Sequence, residues 1–278
     1  AEHYGGYEAL KTAWVSNIMF EPSVGEAILE QKVAAEKNLI LEKEYRFEKA
    51  EQSEEGWKVT FSTPRGKKCV KARVLVDGTE LGDVAKSCRI KYHIGFDPKS
   101  YTGEKMAFEK GNDIVQDLTM VMTLKDYGPD ADKTIEKPED YDINNYVNCC
   151  LNPLNTYFEK GQKQWSPDMM LTYGKLQNGK YMINWPVEGN DFYANLIDMD
   201  RHQRDSVIHK AKLRTLGFLY FIQTELGYKN LGLADDEYPT EDRLAFFPYH
   251  RESRRTEGEY LFTMDELENR YDFTGYRT

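Results

Sequence analysis

The sequence is poor in the side chains that most often carry chemistry alone: 4 cysteines and 5 histidines in 278 residues. Cys69, Cys88 and the adjacent Cys149 and Cys150 include no Cys-x-x-Cys pair. Neither a disulfide framework nor a thiolate zinc site is expected. His3, His93, His202, His209 and His250 form no His-Glu-x-x-His motif and no ligand-spaced pair on a helix, which speaks against a zinc hydrolase. No metal is expected.

Long apolar runs are missing as well, the longest greasy stretch being the interrupted Leu216 to Leu226, and mean hydropathy is −0.71. No span of a bilayer is expected. Positive charge is in deficit: 47 Asp plus Glu stand against 37 Lys plus Arg, a net charge of −10. Such a chain has no field to attract nucleic acid or an anionic membrane. No Asn-x-Ser/Thr sequon occurs, so the expectation is a soluble protein of the cytoplasm or periplasm. What is present is core material: 40% of residues are hydrophobic and 13% aromatic, which excludes disordered and fibrous classes.

Periodicity predicts the elements. Ser23 with Glu26 is a capping-box pair ahead of Val24, Ala27, Ile28, Ala34 and Ala35, predicting a helix over 24–36. A strand-like run begins at Leu39 to Leu41 and resumes over 45–48. Trp57 to Thr63 alternates apolar and polar, Pro64 to Lys67 turns, and 70–76 ends in Val74-Leu75-Val76, apolar on consecutive positions as in a strand buried on both faces. After Asp97-Pro98 the chain becomes polar up to Tyr141, interrupted by the apolar alternation over 118–124; a domain seam is placed near residue 98. Asn178-Gly179 between 169–176 and 181–185 predicts a hairpin, and the stripe Ile208, Ala211, Thr215, Leu219, Ile222, Leu226 predicts a core helix over 203–226 closed by Gly227.

Five segments are candidates for chemistry. Trp185 to Asp191 combines polar groups with a turn and reads equally as a structural loop or a binding one. Gly174 to Lys180 nearly matches a phosphate-binding loop, but Tyr181 stands where a hydroxyl residue is needed, so the hairpin reading is preferred. The acidic run 235–242 lacks the offsets of a calcium loop and reads as a solvated turn, or as a helix start at Thr240. His250, Arg251, Arg254 and Arg255 concentrate cations in an acidic chain, either as a binding motif for an oxygen-bearing group or as ion-pair partners of that acidic run. Asp77, Gly78, Thr79 and Glu80 follow the apolar strand, the position at which ligands gather in open α/β sheets.

Taken in order, Val-Leu-Val-Asp-Gly-Thr-Glu-Leu-Gly-Asp at 74–83, Tyr-Met-Ile-Asn-Trp-Pro-Val-Glu-Gly-Asn-Asp at 181–191, Tyr-Phe-Ile-Gln-Thr-Glu-Leu-Gly at 220–227, Asp-Glu-Tyr-Pro-Thr-Glu-Asp at 236–242 and Tyr-His-Arg-Glu-Ser-Arg-Arg at 249–255 resemble a bacterial family of FAD-dependent oxidoreductases. That family is familiar from Bacteroides-like bacteria and related to fumarate reductase and glutathione reductase flavoproteins. The resemblance implies an α/β fold, α+β in the part covered. It implies an incomplete FAD-binding domain over 1–97, with the helix, β-meander and buried strand, and a mixed sheet-and-helix substrate or cap domain over 98–278 whose last residues return to the first. It further implies that Asp77, Gly78, Thr79 and Glu80 lie near FAD, and that His250, Arg251, Arg254 and Arg255 lie near substrate or flavin. The family's Gly-x-Gly-x-x-Gly turn is missing, and so is its C-terminal continuation, which points to an internal fragment and leaves open whether it holds FAD. The implied activity is hydride transfer between flavin and a small organic molecule. The competing reading is a non-catalytic module holding a carbohydrate or a protein on Tyr and Trp surfaces.

Overall fold

The computed structural model describes residues 1–155 and 165–268. Its elements in chain order are α1 (Pro22–Ala35), β1 (Arg46–Ser53), β2 (Gly56–Thr63), β3 (Gly66–Ala72), α2 (Asp83–Ser87), β4 (Tyr92–His93), α3 (Lys99–Thr102), β5 (Leu118–Thr119), β6 (Met122–Asp126), α4 (Pro167–Thr172), β7 (Lys180–Ile183), β8 (Asp191–Phe192), α5 (Arg201–Thr224), β9 (Leu231–Leu233), β10 (Arg255–Thr256) and α6 (Met264–Glu268). All the strand pairings are antiparallel. The class is mixed α and β built on small sheets.

The chain divides into two compact units, neither continuous: 1–39 with 117–249, and 40–116 with 250–278. The seam expected near residue 98 falls inside the second of them. The expected return of the last residues lies in part outside the described residues.

The first unit is organised on α5. Asp200 accepts from the Gln203 amide while Gln203 reaches back to the Asp200 amide, a capping box that fixes the start of the helix. Its buried face presents Ala211, Thr215, Phe218, Leu219, Phe221 and Ile222; Met122, Leu124 and Ile183 of the strands, and Met120 between β5 and β6, are buried in the same unit. Buried polar groups are used within this core. Thr215 Oγ1 donates to the Met120 carbonyl, Asn190 Nδ2 to those of Met120 and Ile183, and Gln223 Nε2 to those of Lys133 and Leu231.

The second unit is built on the meander β1-β2-β3, where Val59 is buried and Phe61 meets the rings of Tyr45 and Phe47. Here the buried strand fails to form. β3 stops at Ala72, and Val74 and Val76 are 74% and 82% exposed. An apolar run becomes a two-faced strand only where a neighbour pairs with it, and none does among the described residues.

Other differences have local causes. α1 starts at Pro22, whose fixed φ suits the first helical position, so Ser23 is already inside the helix and makes no side-chain cap. No strand forms over 39–41. Residues 167–172 are helical rather than a hairpin arm, because Ser166 caps the Met169 amide and Pro167 occupies the first position. The Asn178-Gly179 turn is as expected, with φ of 55° and 69° leading into β7, a strand and not the helix of a phosphate-binding loop.

Candidate functional site

The Asp77–Asp83 turn is held from within. Asp77 Oδ1 accepts from the Thr79 amide at 2.8 Å and the Thr79 hydroxyl at 2.7 Å, and its Oδ2 accepts from the Ala85 amide at 2.8 Å. Thr79 Oγ1 in turn accepts from the Asp83 amide at 2.9 Å. Burial alone would raise the pKa of Asp77, but these donors outweigh it and hold the carboxyl below the ordinary range. Gly82 takes φ 69°, the left-handed conformation that delivers the chain into α2, while Gly78 faces open space.

Arg254 reaches this turn from the far end of the sequence. Its side chain is 1% exposed, and Nη1 donates to the Leu81 carbonyl at 2.6 Å and to Asp83 Oδ1 at 2.9 Å. The guanidinium lies 5.1 Å from the centre of the Tyr92 ring. β4 and β10 carry the neighbouring cluster, with Arg255 opposite His93 and Thr256 opposite Tyr92. Arg255 Nη2 donates to Asp97 Oδ2 at 2.8 Å, and His93 sits between Asp97 (2.8 Å) and Glu257 (3.0 Å) while stacking on Tyr101 at 4.4 Å.

The sequence-predicted residues therefore sort as follows. Asp77 and Thr79 build the turn, Arg254 locks it, and Gly78 and Glu80 are exposed on it. Arg255 pairs beside the turn, and His250 and Arg251 are half-buried on the segment entering β10. The arginine pairing expected with the acidic run is corrected, since Arg254 and Arg255 pair with Asp83 and Asp97. Sequence reasoning missed His93, Asp97 and Tyr92; the His93/Asp97 spacing of four was the available signal.

The acidic run is not a solvated turn throughout. Glu237 is buried, accepting from Lys180 Nζ and from the Ser23 amide, and Lys180 also meets Glu21 at 3.0 Å and Asp236 at 3.1 Å. Tyr4 and Asn178 donate to the same Glu21. Thr240 starts no helix, its hydroxyl donating to the Leu244 carbonyl. This ion cluster belongs to the first unit. Among the described residues no group of three or more His, Cys, Asp or Glu is placed to hold a metal ion.

The family model of the FAD-dependent oxidoreductases matches residues 2–275. The chain belongs to this family. It is accordingly an FAD-dependent oxidoreductase, an enzyme whose cofactor is FAD. No curated protein and no solved structure gives a match. None of the flavoenzyme's described helices is long and apolar enough to cross a membrane.

On charge, the turn does not favour the pyrophosphate of FAD. The amides of Thr79, Asp83 and Ala85, which would otherwise be open to an anion, are taken by Asp77 and Thr79. Asp77, Glu80 and Asp83 also place three carboxylates there. Gly78 itself is exposed, with open space where a side chain would stand. Cavities of 480 and 740 Å³ open on the meander, at Trp57 and at Tyr45.

Proposed function

We propose that this flavoenzyme serves hydride transfer between a small organic molecule and FAD, in a bacterial branch related to fumarate reductase and glutathione reductase flavoproteins. The family match supports the flavin half of the reading, and the ordered motif series from Val74 to Arg255 supports the branch. FAD, when bound, supplies the redox chemistry. We assign the division of labour to the two compact units rather than to a cut at residue 98, with the cofactor-facing part in the second.

In this reading Asp77 and Thr79 shape the turn, and Gly78 and Glu80 border the cofactor. Arg254 is a positioning residue. Its guanidinium is spent on Leu81, Asp83 and the Tyr92 face, so it acts on the turn and not on substrate. His250, Arg251 and Arg255, the last already paired with Asp97, lie toward an oxygen-bearing group, where negative charge developing in a reaction is stabilised. The observation that carries the reading is the bond between Arg254 and Asp83, 171 residues apart, which joins the two motifs of the resemblance within one unit.

The test is flavin fluorescence during titration of the purified protein with FAD. Quenching by the wild type is expected, with affinity at least about tenfold weaker in Arg254→Ala, a loss of about 1.4 kcal/mol, and partial recovery in Arg254→Lys. Equal affinity in a folded Arg254→Ala protein would remove the turn from the cofactor site.

A further inference from the structure

Cys149 and Cys150 are consecutive, yet their sulfurs lie 3.6 Å apart and both residues are wholly buried. In an extended chain successive side chains point to opposite sides; here the bends that follow Tyr146 turn both thiols the same way. The backbone is pinned in that shape. Trp185 Nε1 donates to the Cys149 carbonyl at 2.8 Å, and Asn152 and Asn155 donate to the Cys150 carbonyl at 2.8 and 3.0 Å.

The pair shares its protons unequally. Cys149 donates its S–H to Cys150, which lowers the pKa of Cys150 and, together with burial, raises that of Cys149. Glu188 adds to the second effect. One of its oxygens accepts from Asn148 at 3.2 Å, and the other, shielded from solvent, receives no hydrogen bond among the described residues. The contact between the sulfurs makes Cys149 the donor and Cys150 the acceptor.

Two chemistries are open to adjacent thiols. Closure to a disulfide needs sulfurs about 2.05 Å apart and α-carbons about 4.4–6.8 Å apart, whereas consecutive α-carbons across a trans peptide are only about 3.8 Å apart. That ring forms only by distorting the backbone that Trp185, Asn152 and Asn155 hold. A single thiophilic atom bridging both sulfurs requires no such change: thiolate bonds of about 2.3 Å, at angles from pyramidal to tetrahedral, span about 3.3–3.8 Å, which brackets the spacing observed. No third acidic, thiol or imidazole side chain completes a metal-binding group among the described residues, so the fitting ligand is one that two sulfurs satisfy.

We propose that Cys149 and Cys150 form a dithiol site for trivalent organoarsenicals. The step balances without an oxidant: an arsenoxide RAs=O and two thiols give a cyclic dithioarsenite and one water, which carries away both thiol protons and the oxygen. Each sulfur forms one As–S bond, and the second closes the ring. Because both sulfurs are buried, uptake follows local opening and is slower than at exposed Cys69.

The probe is phenylarsine oxide added to the full-length native protein, followed by a monothiol chase, intact mass and peptide mapping. We expect one chase-resistant adduct, heavier by the arsenoxide less one water, on the peptide containing 149–150, and its release by an added dithiol. Cys149→Ser and Cys150→Ser should each lose it. Complete stripping by the monothiol, or a resistant adduct mapped to Cys69 or Cys88, overturns the proposal. If the serine variants fail to fold, the wild-type map decides between these outcomes.

Discussion

Arg254 and Lys180 are the buried cations among the described residues. Arg254 is 1% exposed against an Asp83 that is 36% exposed, whereas Lys180, at 6%, faces Glu237 at 0% and Glu21 at 4%. Removing one member of a buried pair strands the other, at a cost of about 3–5 kcal/mol. Lys180→Met should approach that figure, since two carboxylates lose their partner. Arg254→Ala should cost less, about 2 kcal/mol, because water reaches Asp83. Urea denaturation of both variants measures the order; a smaller loss for Lys180→Met would mean that water or another cation reaches that cluster. The pH dependence follows from Glu21. Burial would raise its pKa, but hydrogen bonds from Asn178, Tyr4 and Lys180 outweigh this and lower it from 4.5. A carboxyl whose folded pKa is depressed contributes stability above its unfolded pKa and loses it as pH falls through the folded value. Lys180 is shifted upward by hydrogen bonds to Glu237, Glu21 and Asp236 that overcome its burial, so its contribution is complete below 10.5 and adds no slope on the acid side. Glu21→Gln should therefore lower stability at neutral pH and flatten its decline as pH falls below the ordinary carboxylate range. An unchanged acid slope would place the titrating groups elsewhere.

At the scale of elements the informative residue is Gly217 in α5. An added methyl there runs into the Tyr146 hydroxyl, which itself donates to the Arg214 carbonyl at 2.9 Å. Glycine to alanine normally favours a helix by about 1 kcal/mol, while overpacking costs about 1–3 kcal/mol. The loss of the Tyr146 bond adds to the cost, so Gly217→Ala should destabilise by about 1–2 kcal/mol; a rise in melting temperature would show that Tyr146 does not seat on the helix. This element was legible because its signals are local: an apolar stripe and a closing glycine lie in one run of sequence. The same kind of signal misled at Ser23, where the adjacent proline decided the start of the helix, and at 169–176, where Ser166 and Pro167 lay just outside the window. The candidate site was legible as two motifs and not as a connection. Nothing near Arg254 announces Asp83 as its partner, and nothing near Lys180 announces Glu21 or Glu237, because such pairings are made by the fold. Val74 to Val76 shows the converse, a local pattern whose partner strand is not among the described residues.

For the whole molecule that bare run is the property with the broadest consequence. The chain carries a net charge of −10, and self-repulsion keeps such a protein dispersed at neutral pH. As pH falls toward the isoelectric point near 5.2 the repulsion fades, while Val74 and Val76 remain 74% and 82% exposed. Apolar surface of this kind drives association once charge no longer opposes it. Light scattering of the wild type should rise between about pH 6.5 and pH 5. The double variant Val74→Glu, Val76→Glu should shift that rise to lower pH, with folding stability at pH 7 within about 0.5 kcal/mol of wild type, as for surface substitutions. A loss above about 2 kcal/mol would mean that the two valines are covered in solution, since only buried apolar positions respond so strongly to a charge. The two measurements separate the causes: charge alone moves the scattering curve, and burial alone moves the denaturation midpoint.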